Sequence, residues 1–149
     1  PGFNVPLKSG LRFEDYFIEF KDAKTIKKHE LNKFYFMSGK VVDYELTNGR
    51  IIPLKHKMFN HDAFIFSDTS KTASLRSLSD QKSVTVHFPD MKYFALWHTA
   101  KASAPFVCME MWGGLPSSSL KIDDIETKQD IVTLEEKKEY NNSWSIEII

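Results

Sequence analysis

Residues 83–98 read Ser83-Val84-Thr85-Val86-His87-Phe88-Pro89-Asp90-Met91-Lys92-Tyr93-Phe94-Ala95-Leu96-Trp97-His98. In the first half, Val84, Val86 and Phe88 alternate with Thr85 and His87, the period of a strand with one face in a core and one in water. In the second half, Met91, Tyr93, Ala95 and Trp97 alternate with Lys92, Phe94, Leu96 and His98. Both faces are then almost wholly apolar, so this strand is expected to lie centrally in its sheet. Pro89-Asp90 marks the break between the two.

The same period extends outward. Tyr16-Phe17-Ile18-Glu19-Phe20, Lys33-Phe34-Tyr35-Phe36, Ala63-Phe64-Ile65-Phe66 and Pro105-Phe106-Val107-Cys108-Met109 are short aromatic or β-branched runs that read as strands. Trp144, Ile146 and Ile148 alternate with Ser145 and Glu147 as a half-buried last strand. Asn48-Gly49, between residues 41–46 and 51–54, predicts a two-residue hairpin. Ser79-Asp80-Gln81-Lys82 separates residues 73–78 from 83–88, and Asn141-Asn142 precedes the last strand. The main helical signal is in residues 120–130, where Ile122, Ile125 and Lys128 recur at helical spacing behind Asp123 and Asp124. About ten strands with few helices make an all-β chain, a β-sandwich.

Composition excludes several classes. The chain has 149 residues, the size of one domain or of a piece of a larger one, and a 42% hydrophobic share that can build a core. Lys plus Arg and Asp plus Glu are 20 each, a zero balance that argues against gripping nucleic-acid phosphates. Residues 99–120 carry Lys101, Glu110 and many small polar residues, so no transmembrane helix is expected. No signal peptide, repeat or linker is visible. The single cysteine, Cys108, excludes an internal disulfide and a multi-cysteine zinc site, and is compatible with a cytoplasmic location. The chain opens at Pro1 without an initiator Met, which either processing or a longer natural chain explains.

Two places carry candidate chemistry. Glu110 stands between Met109 and Met111, where a carboxylate is costly unless it is paired, hydrogen-bonded or at the mouth of a cavity. Trp112 lies two residues on and shares its face in a strand, and an indole beside an acid can hold a sugar. The competing reading is an edge-strand glutamate facing water. Asp62, in Phe59-Asn60-His61-Asp62-Ala63-Phe64, sits where a loop meets a buried strand. It could bind ligand hydroxyls or simply satisfy loop N–H groups. The loop Gly113-Gly114-Leu115-Pro116-Ser117-Ser118-Ser119 looks flexible and is placed to border a site.

The rest of the sequence reads as structural. His29, His56, His61, His87 and His98 show no metal-ligand spacing; His87 is expected in solvent, and His98 at a strand end is a weaker candidate for a polar site group. No phosphate loop or nucleophile elbow is present, and Cys108 reads as a packed thiol. Lys21, Lys24, Lys27 and Lys28 read as a solvated loop or hairpin.

Ala104-Pro105-Phe106-Val107-Cys108-Met109-Glu110-Met111-Trp112-Gly113-Gly114 resembles the segment around the catalytic glutamate of the aldose 1-epimerase (galactose mutarotase) family. It is closest to the branch associated with bacterial lactose operons, whose segment reads A-P-F-x-C-I-E-P-W-x-G. Pro1-Gly2-Phe3-Asn4 with Phe13-Glu14-Asp15-Tyr16 resembles the run after that branch's G-H-P-x-F-N motif. Residues 59–66 resemble its F-x-x-D-A-L-I-F strand, and residues 128–148 its closing strands. The resemblance spans the chain but only the C-terminal half of the family's length. It implies that residues 1–149 are the C-terminal part of a single galactose mutarotase-like β-sandwich (supersandwich).

The implied activity is interconversion of the α and β anomers of a hexose such as galactose by acid–base ring opening, with no metal or organic cofactor. Glu110 would be the general base and Asp62 a ligand of sugar hydroxyls. Trp112 and Trp97 are suggested as walls of the sugar site on chemical grounds alone. The family's acid is a His immediately before the position of Pro1, so the 149-residue segment alone is expected to be inactive. Met111 replaces the family's Pro after the glutamate, and Pro116-Ser117 stands where the branch has an Asp. The alternatives are a non-catalytic carbohydrate-binding sandwich of the same fold and an interaction module unrelated to sugars. The expected partners are a small sugar and either the missing N-terminal half or a second copy, with no nucleic acid and no membrane.

Overall fold

The computed structural model describes residues 1–23 and 25–149; Lys24 lies outside the described residues. Among those, the first strands are β1 (Gly2–Asn4), β2 (Tyr16–Phe20), β3 (Thr25–Leu31), β4 (Met37–Glu45), β5 (Ile51–Pro53) and β6 (Phe64–Ser67). They are followed by β7 (Thr72–Ser77), β8 (Asp80–His87), β9 (Tyr93–Trp97), β10 (Phe106–Trp112) and β11 (Ser145–Ile148). Two 3-10 turns, Phe13–Asp15 and His56–His61, are the helical elements among the described residues. None is long and apolar enough to cross a membrane.

The strands form two antiparallel sheets. One has six strands in the order β1-β10-β9-β6-β3-β4, the other five in the order β11-β8-β7-β2-β5. The period-two pattern sets what each face does. Phe94 and Leu96 of β9, Val107 and Met109 of β10, and Phe66 of β6 turn inward. They meet Ile18, Phe20, Leu75, Val86 and Ile52 of the other sheet in one buried core. The opposite parity builds a second, smaller cluster on the outer face of the six-stranded sheet: Met37, Ile65 and Ala95, with Leu31, Ala63, Trp112 and Leu115 against it. Tyr16 ties loops to this frame. Its buried hydroxyl accepts from the Leu7 and Lys8 amides at 3.1 and 3.2 Å and donates to Asp80 Oδ2 at 3.0 Å.

The sandwich, the central β9 and the β7–β8 hairpin follow the sequence pattern. Four local expectations do not. Residues 33–36 form the tip of the β3–β4 hairpin, not a strand. Asn32 Oδ1 accepts from the Phe34 and Phe36 amides at 2.8 and 3.2 Å, an Asx-type turn that outcompetes aromatic strand propensity. Residues 120–130 form turns instead of a helix. Ile122 is 98% and Ile125 76% exposed, so no surface receives an apolar helical face, and the Asp124 side chain closes a turn on the Glu126 amide.

The last strand is not half-buried. β11 pairs with β8 at the sheet's end, and Trp144, Ile146 and Ile148 are 48%, 39% and 77% exposed, because no described element covers that face. Asn48-Gly49 does make a tight turn, with φ of 52° and 71°. The strands it joins then diverge into different sheets, linked only by a bridge between Thr47 and Ile51. Lys27 and Lys28 belong to β3; Lys27 pairs with Asp43 at 2.6 Å and Lys28 lies over the Phe64 ring.

Candidate functional site

The site is assembled on the outer face of the six-stranded sheet. Antiparallel pairing sets Cys108 opposite Trp97, Glu110 opposite Ala95 and Trp112 opposite Tyr93. Directly opposed residues point to the same face, so Glu110, Trp112 and Trp97 stand together. Ile65, opposite Ala95 on the next strand, continues the row and floors it with apolar surface. Asp62 enters from the 3-10 turn His56–His61, at the start of β6. Pro116, from the loop after β10, closes one side. The result is an open pocket of about 370 Å3 that contains all four residues singled out in the sequence. That volume is in the range of small-molecule sites.

Each polar group in it has a defined setting. Glu110 is half-buried and pairs with Ala95 of β9, while on its other side the β1 register ends at Gly2 with Cys108. The Trp112 indole N–H donates to its Oε2 at 3.2 Å, which fixes the carboxylate and leaves its other oxygen available. Asp62 is half-buried and holds φ 78°, ψ −157°, backbone territory that glycine occupies almost alone. Its amide donates to Phe59 O at 3.0 Å, and its carboxylate accepts no hydrogen bond from the described residues, so it does not serve the loop's N–H groups.

Tyr35 is the pocket residue that sequence reading missed. It projects from the β3–β4 tip at φ 66° and is 63% exposed, yet lines the pocket. The available signal was Asn32, a turn former placed just before the aromatic run.

The loop after β10 borders the pocket but is pinned. The Met37 amide donates to Ser117 O at 3.0 Å, the Ser119 amide to Met37 O at 3.1 Å, and the Lys128 ammonium to Leu115 O at 2.6 Å. Gly114 is required here: a Cβ would stand 2.9 Å from Asp130 O. His98 is a core group and not part of the pocket. It is fully buried among Phe13, Phe59 and Phe106. Its Nδ1 lies 2.7 Å from the carbonyl of Thr99, which can only accept, so Nδ1 carries the proton and Nε2 accepts from His56 Nδ1 at 3.2 Å. His87 reaches Thr72 Oγ1 at 3.3 Å and Glu147 at 3.5 Å on the neighbouring strands. Burial pushes the Cys108 thiol up, with Glu110 adding to it, as suits a packed and unreactive sulfur.

Comparison with known proteins adds independent findings. The chain is 29% identical over 155 aligned residues to the chromosomal LacX protein of Lactococcus lactis subsp. lactis, and 29% identical to its plasmid-borne counterpart. All of this chain aligns, and it spans about half the length of those curated relatives. A galactose mutarotase related enzyme of Lactobacillus acidophilus superposes with a TM-score of 0.91 at 23% identity. A galactose mutarotase-like protein of Lactobacillus casei superposes with a TM-score of 0.81 at 26% identity. Each superposition covers essentially the whole of this chain and half of the other. No family model matches.

Proposed function

We propose that this galactose mutarotase-like sandwich, homologous to half of LacX, carries the base-bearing half of an aldose 1-epimerase site. The observation that carries the reading is the convergence of Glu110, Asp62, Trp97 and Trp112 on one pocket. Glu110 takes the proton from the C1 hydroxyl of the sugar while an acid protonates the ring oxygen. The C1–O bond of the ring breaks to give the open aldehyde, C1 rotates, and the reverse transfers close the ring on either face. Asp62 accepts hydrogen bonds from sugar hydroxyls. The indoles of Trp97 and Trp112 meet the apolar face of the ring.

The strand register supports a place for the acid. β1 pairs with β10 as Gly2 with Cys108, Phe3 with Val107 and Asn4 with Phe106, and the Met109 amide donates to Pro1 O at 2.9 Å. One further residue in that register would stand directly across from Glu110, at the Cβ separation of about 4.5–5.5 Å usual for such pairs. That is the position at which the mutarotase resemblance implies a histidine. Among the described residues the pocket holds no histidine, and this reading assigns the acid to that register position. The uncovered apolar side chains of β11 suit the remaining half of a LacX-length polypeptide, or a second copy, as a covering layer.

The test is polarimetry of freshly dissolved α-galactose and α-glucose with the natural polypeptide that carries these residues. Glu110→Gln is expected to slow catalysed mutarotation by about 10²-fold or more. Full activity in that variant would refute the role of Glu110. The second reading, a carbohydrate-binding sandwich without catalysis, rests on Met111 and Pro116-Ser117, which depart from the pattern of the family that the sequence resembles. It predicts calorimetric sugar binding with no change in the rate of anomerisation.

A further inference from the structure

A second and larger cavity, of about 620 Å3, adjoins the Glu110 pocket on the same sheet face. Pro116 lines both and stands at their boundary. Tyr93 forms the inner wall, and its register partner Trp112 belongs to the first pocket. Glu110 is two residues from Trp112 along β10, about 7 Å at strand rise.

The charge of this second cavity leans positive. Lys40, Lys92, Lys121 and Lys128 line it, with His29 at its floor, against Asp123 and Asp130. Both aspartates are already used in building the wall. Asp130 accepts from the Tyr93 hydroxyl at 2.5 Å through one oxygen and pairs with the Lys92 ammonium through the other. Asp123 accepts from the Ser118 amide at 3.3 Å. Lys40 is matched by Glu30 at 3.0 Å. Lys121 and Lys128 form no ion pair with a carboxylate among the described residues. Lys128 is half-buried and aimed inward, its ammonium donating to Leu115 O at 2.6 Å. Val41, Leu115 and Leu120 supply the apolar part of the lining.

We propose that this cavity receives an oxyanion carried by the sugar, a phosphate or a carboxylate, on the side of the ring away from C1. The proposal rests on the sugar-site reading above and narrows its substrate to anionic aldoses. Lysines bind such groups as point charges, and Lys121 and Lys128 are the lining cations that no carboxylate among the described residues pairs.

Titration calorimetry at low salt tests this on the natural polypeptide, using glucose and galactose, their 6-phosphates, and glucuronate and galacturonate. The expected result is at least 10-fold tighter binding of one anionic class than of its neutral parent, with a preference that shrinks as salt rises. Phosphates ahead of uronates identifies a phosphate site, and the reverse a carboxylate site. Lys128→Gln should bring the ratio of anionic to neutral affinity towards one. The exposed Lys121→Gln serves the same purpose if the first variant does not fold. Neutral sugars that bind as well as the anionic ones, or a preference unaltered in both variants, overturn the proposal and leave the sugar-site reading standing. Absence of binding by every sugar overturns both.

Discussion

Replacing Asp62 by Gly and, separately, by Ala removes the same carboxylate but leaves different backbones. Asp62 holds φ 78° and ψ −157°. A residue with a Cβ in that region stores of the order of 1–3 kcal/mol, which Ala keeps and Gly releases. Gly gives back about 0.4–1 kcal/mol through the greater freedom of its unfolded chain. The net difference is roughly 0 to 2.6 kcal/mol in favour of Gly, centred near 1.3. For a chain of this size that is about 3–5 °C in melting temperature. The assay is paired: thermal unfolding by circular dichroism and sugar binding by calorimetry, on both variants and the parent. Gly is expected to melt above Ala, and both are expected to lose sugar affinity together. A Gly variant that melts with or below Ala would show that position 62 is not strained. A Gly variant that keeps full affinity would show that the carboxylate is not a sugar ligand. Each refutation touches a different link, one conformational and one chemical.

Other predictions follow from single contacts. Trp112→Phe keeps a ring in the wall but removes the N–H that holds Glu110 Oε2, and is expected to cost about 10-fold in the mutarotation rate with a smaller change in KM. Tyr35→Ala should weaken sugar binding about 2- to 12-fold by calorimetry, the scale of one aromatic contact, and Tyr35→Phe should restore most of it. Tyr16→Phe strands the Leu7 and Lys8 amides and is expected to lower unfolding free energy by about 1–3 kcal/mol in urea titrations. Burial holds the His98 imidazole below its ordinary pKa, with His56 adding to the effect, so the native state binds fewer protons than the unfolded chain. Stability should therefore fall as pH drops below about 6.5, and the slope between pH 7 and 5.5 should be shallower in His98→Gln.

The parts of the fold legible in the sequence are those decided by pairs of residues two apart. Val84 with Val86, Tyr93 with Ala95 and Trp97, and Glu110 with Trp112 each share a face whatever their strand pairs with. What a strand pairs with, and what covers it, is not a local property. Trp144, Ile146 and Ile148 alternate as a buried strand would, but they lie at the end of a sheet with that face uncovered. Ile122 and Ile125 have helical spacing, but a helix there would have no groove to fill. Asn48-Gly49 predicts a turn correctly and cannot say that the chain leaves one sheet for the other immediately afterwards.

The same division explains which pocket residues were found. A sheet face offers side-chain positions only on a lattice, about 4.8 Å between strands and about 7 Å along them. Glu110, Trp112 and Trp97 occupy such positions. Groups needed above the face, or between its positions, must come from loops, and aiming them takes backbone out of its comfortable regions. Asp62 and Tyr35, the titratable pocket side chains delivered by loops, hold φ of 78° and 66°. Among the described non-glycine residues with positive φ, Tyr35 is the only aromatic, and a bulky side chain gains nothing locally from that conformation. Asp62 was visible because it stands where a loop meets an apolar run, and a resemblance pointed to the same residue. Tyr35 was not, because its function lies in a turn geometry that its own letters, read as a strand, conceal.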